Sequence, residues 1–189
     1  MVRRAIRLYV SAGRDLEAER DVIGRVVAEL PVTAGWEIGR TPGWRTTVAV
    51  SAVDVSPTTC DLFIFLLGQD ISAPAGSEWD AARASRRPML ALLKDVARTP
   101  AGLEFQRLGQ DLWVRFGALE ELERQVREWL VRQLLDRAEQ LRLTLPEVER
   151  LAALRAEAER SAEAAAAATD RSRAAAGGGV ILPSPPGRG

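Results

Sequence analysis

The stretch "CDLFIFLLG", residues 60–68, constrains the fold more than any other part of the chain. Residues 62–67 are all apolar, and a glycine ends the run. A strand with one face in water alternates apolar and polar residues, whereas a strand covered on both faces is apolar throughout. The run therefore predicts a central strand of a parallel sheet that has helices on both sides.

Strand-like and helix-like segments alternate along the first part of the chain. We predict strands at 6–11, 36–40, 60–68, 88–95 and 111–116, and helices at 15–30, 77–87, 99–109 and 118–143, with Asp15 as the first N-cap. Residues 46–59 are rich in β-branched side chains, but a crossover is needed there, so we predict a short helix. The pattern indicates an α/β protein with an open, parallel, five-stranded sheet in the flavodoxin-like order 2-1-3-4-5.

The composition changes toward the end of the chain. We expect an α/β domain over residues 1–145, an alanine-rich C-terminal helix over 146–168 and a disordered tail over 169–189. Three interpretations of the alanine-rich helix stay open, because its apolar face is thin. It packs back on the domain, it pairs with a protein partner or a second copy, or it is a solvated helix.

Charge and residue usage exclude several classes of function. Basic and acidic residues balance at 26 each and there is no histidine, so we expect no nucleic-acid partner, no histidine-based catalysis and no metal site. The one cysteine, Cys60, precedes the apolar run and is interpreted as a small buried residue. The N-terminus does not resemble a signal peptide, and no apolar stretch suits a membrane span. A cytoplasmic protein without a membrane partner or a cofactor is the expectation.

Glu78 begins the predicted helix in "GSEWDAARASRR" and has two interpretations. Ser77 and Asp80 match the Ser-x-x-Asp capping box, and an acidic residue in a first turn stabilises the helix dipole. Alternatively, Glu78 is a carboxylate aimed at a ligand, since ligands of doubly wound sheets bind beyond the carboxyl ends of the strands, where the strand order reverses. A carboxylate beside an anomeric carbon can stabilise an oxocarbenium-like transition state.

Other candidate binding residues follow the predicted strands on the same edge of the sheet. In the order 2-1-3-4-5 the crevice lies between the first and third strands. Strand one ends at Ser11 and leads to Asp15, strand three ends at Gly68 and Gln69, and strand four ends at Lys94, the only lysine of the chain. Lys94 either contacts a phosphate or is a solvated strand end. Trp79 either stacks on a ligand or packs in the core, which is the more frequent role of tryptophan.

Three segments together resemble a widespread prokaryotic family of TIR-like domains of unknown function, which is related to the nucleoside 2-deoxyribosyltransferases. "IRLYVSAGRDLEAERDVI" resembles the opening of that family, "CDLFIFLLG" its third strand, and "SEWDAARASRRPMLALLKD" its following helix and strand. The matched positions are Val10, Ser11, Asp15, Leu16, Glu19 and Arg20 in the first segment and Glu78, Ala82, Pro88 and Leu90 in the last. The resemblance covers roughly residues 5 to 130.

The resemblance implies a TIR-like domain that binds NAD or a nucleoside, within a prokaryotic defence or signalling system. It implies an enzyme that cleaves an N-glycosidic bond, with Glu78 as the catalytic carboxylate. Ser11, Asp15 and Gln69 would position the sugar and Lys94 would meet a phosphate. Many members of this group are interaction or sensor domains, so a non-catalytic adaptor module, working through the TIR-like face or the helix at 146–168, is the alternative.

Overall fold

The computed structural model describes residues 5–41, 55–109 and 111–176. Five strands are formed by Ile6–Ala12 (β1), Trp36–Arg40 (β2), Leu62–Leu67 (β3), Met89–Lys94 (β4) and Trp113–Phe116 (β5). The helices are Glu17–Glu29 (α1), Ala73–Ala84 (α2), Pro100–Leu108 (α3), Leu119–Asp136 (α4) and Leu145–Ala176 (α5), and a short 3-10 helix at Arg14–Leu16 precedes α1.

All four strand pairings are parallel, and the strand order is β2-β1-β3-β4-β5. This confirms the predicted fold class. Parallel neighbours need crossover connections, and α1, α2 and α3 supply them between strands of the described chain. Strand β3 lies between β1 and β4, and each of its six residues is buried, as the continuous apolar run predicts.

The two faces of the sheet carry separate hydrophobic clusters. On one face, alternate residues of β1 such as Leu8 and Val10 pack with α1, α4 and the start of α5. On the other face, Tyr9, Phe63 and Phe65 pack with α2 and α3. This division follows from the period of two along each strand, and it decides which functional candidates can meet.

Several predicted boundaries are wrong. Helix α2 begins at Ala73, and Asp15 is not an N-cap, since α1 starts after the 3-10 helix. The predicted long helix over 118–143 is too long, because α4 ends at Asp136 and residues 137–142 form a turn before α5. Residues 55–59 form a coil and turn rather than a helix; the rest of that predicted helix lies outside the described residues.

The C-terminal helix is longer than predicted. Helix α5 starts at Leu145 and continues to Ala176, eight residues beyond the predicted end at 168. Its first part packs against α4, and Leu151 is fully buried there. The predicted disorder of the remaining tail concerns residues outside those the structure describes. None of the helices in the described ranges has the length and hydropathy needed to cross a bilayer.

Candidate functional site

The carboxylate of Glu78 is buried and surrounded by hydroxyl groups. Its Oε1 accepts a hydrogen bond of 2.7 Å from the Tyr9 hydroxyl, and its Oε2 accepts bonds of 2.6 Å from both Ser11 Oγ and Thr41 Oγ1. Only 9% of the Glu78 surface is exposed. We call these four residues the Glu78 cluster. Three donors compensate a charge that would otherwise be costly to bury.

The positions of three members follow directly from the strands. Tyr9 and Ser11 are two residues apart on β1, so they share the face that α2 covers. Thr41 comes directly after β2, and its backbone N–H donates to Val10 O at 3.3 Å, which continues the β1–β2 ladder. The Ala12 N–H donates to Thr41 Oγ1 at 3.2 Å. The cluster is therefore fixed to the carboxyl ends of β1 and β2.

Gly39 on β2 leaves the room that the Tyr9 ring occupies. A Cβ atom at this position would lie 2.6 Å from Tyr9 Cδ2 and 2.5 Å from Val55 O. The Tyr9 ring also stacks on Phe63, with ring centroids 5.9 Å apart and planes 3° from parallel. The phenol is thus held on two sides, and its hydroxyl points at Glu78.

The capping-box interpretation of Glu78 is wrong. Helix α2 begins four residues before Ser77, with Ser72 as the N-cap and a proline in the first turn. Ser77 and Asp80 therefore lie inside the helix, and Glu78 is in its second turn, beyond the reach of most of the dipole effect. The structure gives Glu78 no helix-capping role. Its hydrogen bonds with the described residues are to Tyr9 and Ser11 of β1 and to Thr41.

Trp79 does not face a ligand site. Its side chain is 1% exposed and forms the centre of an aromatic group, where it stacks on Trp113 at 5.2 Å and meets Phe65 edge-on at 4.8 Å. Consecutive residues on a helix point in directions about 100° apart. Glu78 therefore faces β1 and the end of β2, while Trp79 faces β3 and β5, and packing is its role.

Asp15, Gly68 and Gln69 form a second group, at the reversal between β1 and β3. The Asp15 carboxylate accepts a hydrogen bond of 3.0 Å from the Gln69 backbone N–H. A Cβ atom on Gly68 would collide with that carboxylate, so glycine permits the bridge. Asp15 thereby joins the loops that follow β1 and β3. The Glu78 carboxylate lies instead over β1 and toward β2. The residues that were predicted to line one crevice therefore form two groups.

Lys94 is on the opposite face of the sheet from Glu78. Its Nζ forms an ion pair of 2.6 Å with Glu19 of α1, whose side chain is only 3% exposed. Beside it, Arg20 is also buried and donates from Nη1 to Glu17 at 2.9 Å and from Nη2 to the Ala12 carbonyl. The charge of Lys94 compensates a buried carboxylate, and the structure does not bring Lys94 to the Glu78 cluster.

Cys60 is unsuited to nucleophilic chemistry. The side chain is fully buried, and this burial raises the pKa of the thiol to about 11, although the charge of Arg87 opposes the shift. The thiol, which is not the nucleophilic form, predominates at neutral pH. In the three described ranges, no group of three or more histidine, cysteine, aspartate or glutamate side chains is arranged to hold a metal ion.

Tyr9 and Thr41 are the site residues that sequence reasoning missed. Tyr9 is the only tyrosine of the chain and lies two positions before Ser11 on a predicted strand. That spacing places both side chains on one face of the strand, so it could have identified Tyr9. Thr41 follows the predicted second strand, but its approach to Glu78 joins residues 37 apart in the sequence. No local sequence pattern predicts that contact.

The fold and the cluster define a doubly wound α/β domain with a buried carboxylate at the carboxyl end of its first strand. Comparison with protein-family models gives no match, and comparison with curated proteins also gives none. The resemblance to TIR-like domains therefore stays a prediction that rests on the three sequence segments.

Proposed function

We propose that this protein is a TIR-like domain that binds NAD or a nucleoside and cleaves its N-glycosidic bond, with Glu78 as the catalytic carboxylate. The observation that carries the proposal is the hydrogen bonding of Glu78 to Tyr9, Ser11 and Thr41. In the described chain every donor to this buried carboxylate is a side-chain hydroxyl, and no cation pairs with it. Hydroxyl donors can rotate away, and a sugar can replace them.

The chemistry suits a carboxylate held in this way. When the bond between the anomeric carbon and the base breaks, positive charge develops on the sugar, and a nearby carboxylate stabilises it. The bonding electrons leave with the base, and a water molecule adds to the anomeric carbon and loses a proton, which completes the hydrolysis. In NAD the departing nicotinamide carries the positive charge beforehand and leaves as a neutral molecule, so no acid has to protonate it. A chain without histidine is therefore better suited to NAD than to a nucleoside.

The remaining residues on this edge support sugar binding. The hydroxyls of Ser11 and Thr41 lie 3.5 Å apart beside the carboxylate, at a separation that sugar hydroxyls can bridge. Asp15 and Gln69 are exposed on the same edge, where the two loops meet. We assign the sugar to Ser11 and Thr41 and the outer part of the ligand to Asp15 and Gln69.

Base release from NAD and from nucleosides tests the proposal. Purified full-length protein is incubated with each compound, and the free base is measured by chromatography. We expect Glu78→Gln to reduce nicotinamide release at least about 100-fold, because the amide cannot compensate the charge of the sugar. Release by Glu78→Gln at the rate of the unaltered protein would remove Glu78 from the mechanism.

Glu147→Gln is the matched control. Glu147 also accepts hydrogen bonds from two threonine hydroxyls, and it is 1% exposed, but it lies at the start of α5. We expect this variant to be less stable and to release base within about threefold of the unaltered rate at a temperature where both are folded. An equal loss of release in both variants would indicate a stability effect rather than catalysis.

A second candidate function is an interaction module, favoured by the geometry of α5. Helices α4 and α5 run antiparallel and enclose a groove of about 560 Å³, in which Ala162 of α5 lies near Glu120 at the start of α4. The backbone of α5 continues from there to Ala176, past the end of its neighbour. A helix that leaves its own domain in this way can bind a partner helix.

Light scattering distinguishes this alternative. A truncation at Leu145 is unsuitable, because it removes the fully buried Leu151. Truncation after Ala164 keeps the packed part of α5 and removes the projecting part. A full chain at twice its monomer mass or more, beside a truncation at its own monomer mass, would support self-association through α5. Monomer masses for both proteins at high concentration would exclude it.

A further inference from the structure

A basic cavity lies beside the end of α2 and against β4, whereas the Glu78 cluster lies against β1 and the end of β2. Its volume is about 260 Å³. It is lined by three arginines, Arg83, Arg86 and Arg87, and by three apolar residues, Met89, Ala91 and Leu112. We call it the arginine pocket. Neither the resemblance nor the proposed function assigns a role to it.

The end of α2 holds the arginines in place through an unusual backbone conformation. The Arg87 N–H donates to the Ala82 carbonyl at 3.1 Å and the Arg86 N–H to the Arg83 carbonyl at 3.0 Å. This is the Schellman arrangement, in which glycine normally occupies the left-handed position. Here Arg86 occupies it, with φ of 52°. A strained residue that bears a charge and lines a cavity is an indication of binding.

Two of the three guanidinium groups have further contacts that fix them. Arg87 Nη2 donates to the Thr58 carbonyl, and the Arg83 guanidinium lies over the Trp79 ring, 5.9 Å from its centroid. Arg87 Nε is buried and has no acceptor in the described part of the chain. No acidic residue of the described chain forms an ion pair with any of the three.

The α2 dipole explains only part of this arrangement. Cations at a helix C-terminus are stabilised, but the effect is small and exposed to screening. Three arginines around one cavity repel each other unless an anion lies between them. Guanidinium groups donate two parallel hydrogen bonds to phosphate and carboxylate oxygens, so an oxyanion is the complementary ligand.

The apolar wall of the pocket restricts the ligand further. Leu112 is 46% exposed, which makes it one of the few large apolar side chains that face solvent. It faces the cavity together with Met89, and Ala91 forms the buried base. A ligand that covers Leu112 would remove apolar surface from water.

We propose that the arginine pocket binds a small phosphate monoester with a compact apolar body. The dianionic phosphate lies among Arg83, Arg86 and Arg87, and the apolar body lies against Leu112 and Met89. A phosphate is favoured over a single carboxylate because two negative charges meet three positive ones. The site does not depend on the proposed function, since neither Glu78 nor its hydroxyl donors line the pocket.

Phenyl phosphate is the probe, and calorimetric titration of the full chain at low salt is the measurement. We expect saturable binding that weakens as the salt concentration rises. Inorganic phosphate binds more weakly, because it lacks the apolar body, and phenol does not bind. Absence of saturable phenyl phosphate binding at concentrations up to about 10 mM would overturn the proposal.

Arg86→Gly and Arg142→Gly are a matched pair of variants. Both residues have left-handed backbones, so both changes relieve strain and remove one positive charge, but Arg142 follows α4 and lies outside the pocket. We expect Arg86→Gly to weaken phenyl phosphate binding about tenfold and Arg142→Gly to change it less than twofold. A nonspecific charge effect predicts equal affinities in the two variants, and that result would overturn the proposal.

Leu112→Asn separates the two halves of the site. We expect it to weaken phenyl phosphate about threefold or more and to leave inorganic phosphate unchanged. Arg83→Gln should weaken both, and it serves as the second charge variant if Arg86→Gly does not fold. Glu78→Gln should leave the affinities for phenyl phosphate and for inorganic phosphate unchanged. The binding experiment therefore tests the arginine pocket separately from the enzymatic proposal.

Discussion

Glu78 and Glu147 are both buried glutamates in contact with threonine hydroxyls, but their donors differ in kind. Glu147 accepts hydrogen bonds from the backbone N–H groups of Thr33 and Thr144, at 2.6 Å each, as well as from both hydroxyls. Glu78 accepts from three hydroxyls and, within the described residues, from no backbone group. The same side chain therefore serves two different purposes.

The kind of donor separates a structural carboxylate from a functional candidate. Glu147 is the third residue of α5, and its bond to the Thr144 N–H is half of a capping box. Backbone donors cannot move without unfolding the helix end, so this carboxylate is part of the architecture. The donors to Glu78 are terminal groups that rotate about single bonds. They bind the carboxylate in the resting protein and can turn away from it when a ligand binds.

Glu147→Ala should destabilise the protein more than any other variant proposed here. The change removes four hydrogen bonds, and the backbone N–H groups of Thr33 and Thr144 lose an acceptor that they cannot replace by rotation. We expect the free energy of unfolding to fall by about 3 kcal/mol. Glu78→Ala should lower it by about 2 kcal/mol, because Ser11 and Thr41 can turn toward each other. Urea unfolding followed by circular dichroism measures both.

The order of the two losses is the decisive result. A larger loss in Glu78→Ala than in Glu147→Ala would show that the Glu78 cluster is the more important structural element. It would also contradict the claim that hydroxyl donors readjust. Leu108→Ala, a change at an exposed apolar residue, controls for the effect of alanine on the surface and should alter stability by less than about 0.5 kcal/mol.

The fold could be predicted because its signals are local. The apolar run of β3 identifies a strand covered on both faces, and the alternation of strands and helices indicates a parallel sheet. The order 2-1-3-4-5 was inferred from the number of strands in a chain of this length. The bounds of β2 were predicted correctly, and the other strands differed by a few residues at their ends. The start of α2 was predicted too late, although Ser72 and Pro74 gave the usual signals of an N-cap and a first turn.

The candidate site was predicted only in part, because its contacts join distant segments. Glu78 and Ser11 were named together from the expected topology, and the structure gives them a hydrogen bond. Lys94 was assigned to the same edge, but the period of two along β4 directs it to the α1 face, where Glu19 meets it. The side on which a strand-end residue lies depends on register, and one residue of shift reverses it.

Gly39→Ala perturbs the Glu78 cluster without changing any of its members. The new methyl group would overlap the Tyr9 ring and the Val55 carbonyl, so the ring must move and its hydroxyl must leave Glu78. We expect a loss of about 2 kcal/mol in the free energy of unfolding. Gly35→Ala is the control, since its nearest neighbour would be the Ala5 Cβ at 4.0 Å, and it should be nearly neutral. Equal stability of the two variants would contradict the close packing of Tyr9.

Tyr9→Phe removes one hydroxyl donor and keeps the ring. We expect a loss of about 1 kcal/mol, since a single hydrogen bond to a buried charged group is removed while two others remain. The same change in a Glu78→Gln background should cost less, because the charge that made the bond strong is absent. Purely additive losses would show that Tyr9 and Glu78 do not act as a pair.

Truncation after Ala164 should change the stability least, and it tests whether Glu147 anchors α5 locally. Leu151 is fully buried, and Leu154 packs against the same core cluster, whereas residues 161–164 are exposed. The buried side chains of α5 that are described here therefore lie within the retained part. We expect the free energy of unfolding to change by less than about 0.5 kcal/mol. A loss above about 1 kcal/mol would mean that the projecting part of α5 stabilises the domain. Glu147 would then be one of several anchors, and its contrast with Glu78 would be weaker than the hydrogen bonds indicate.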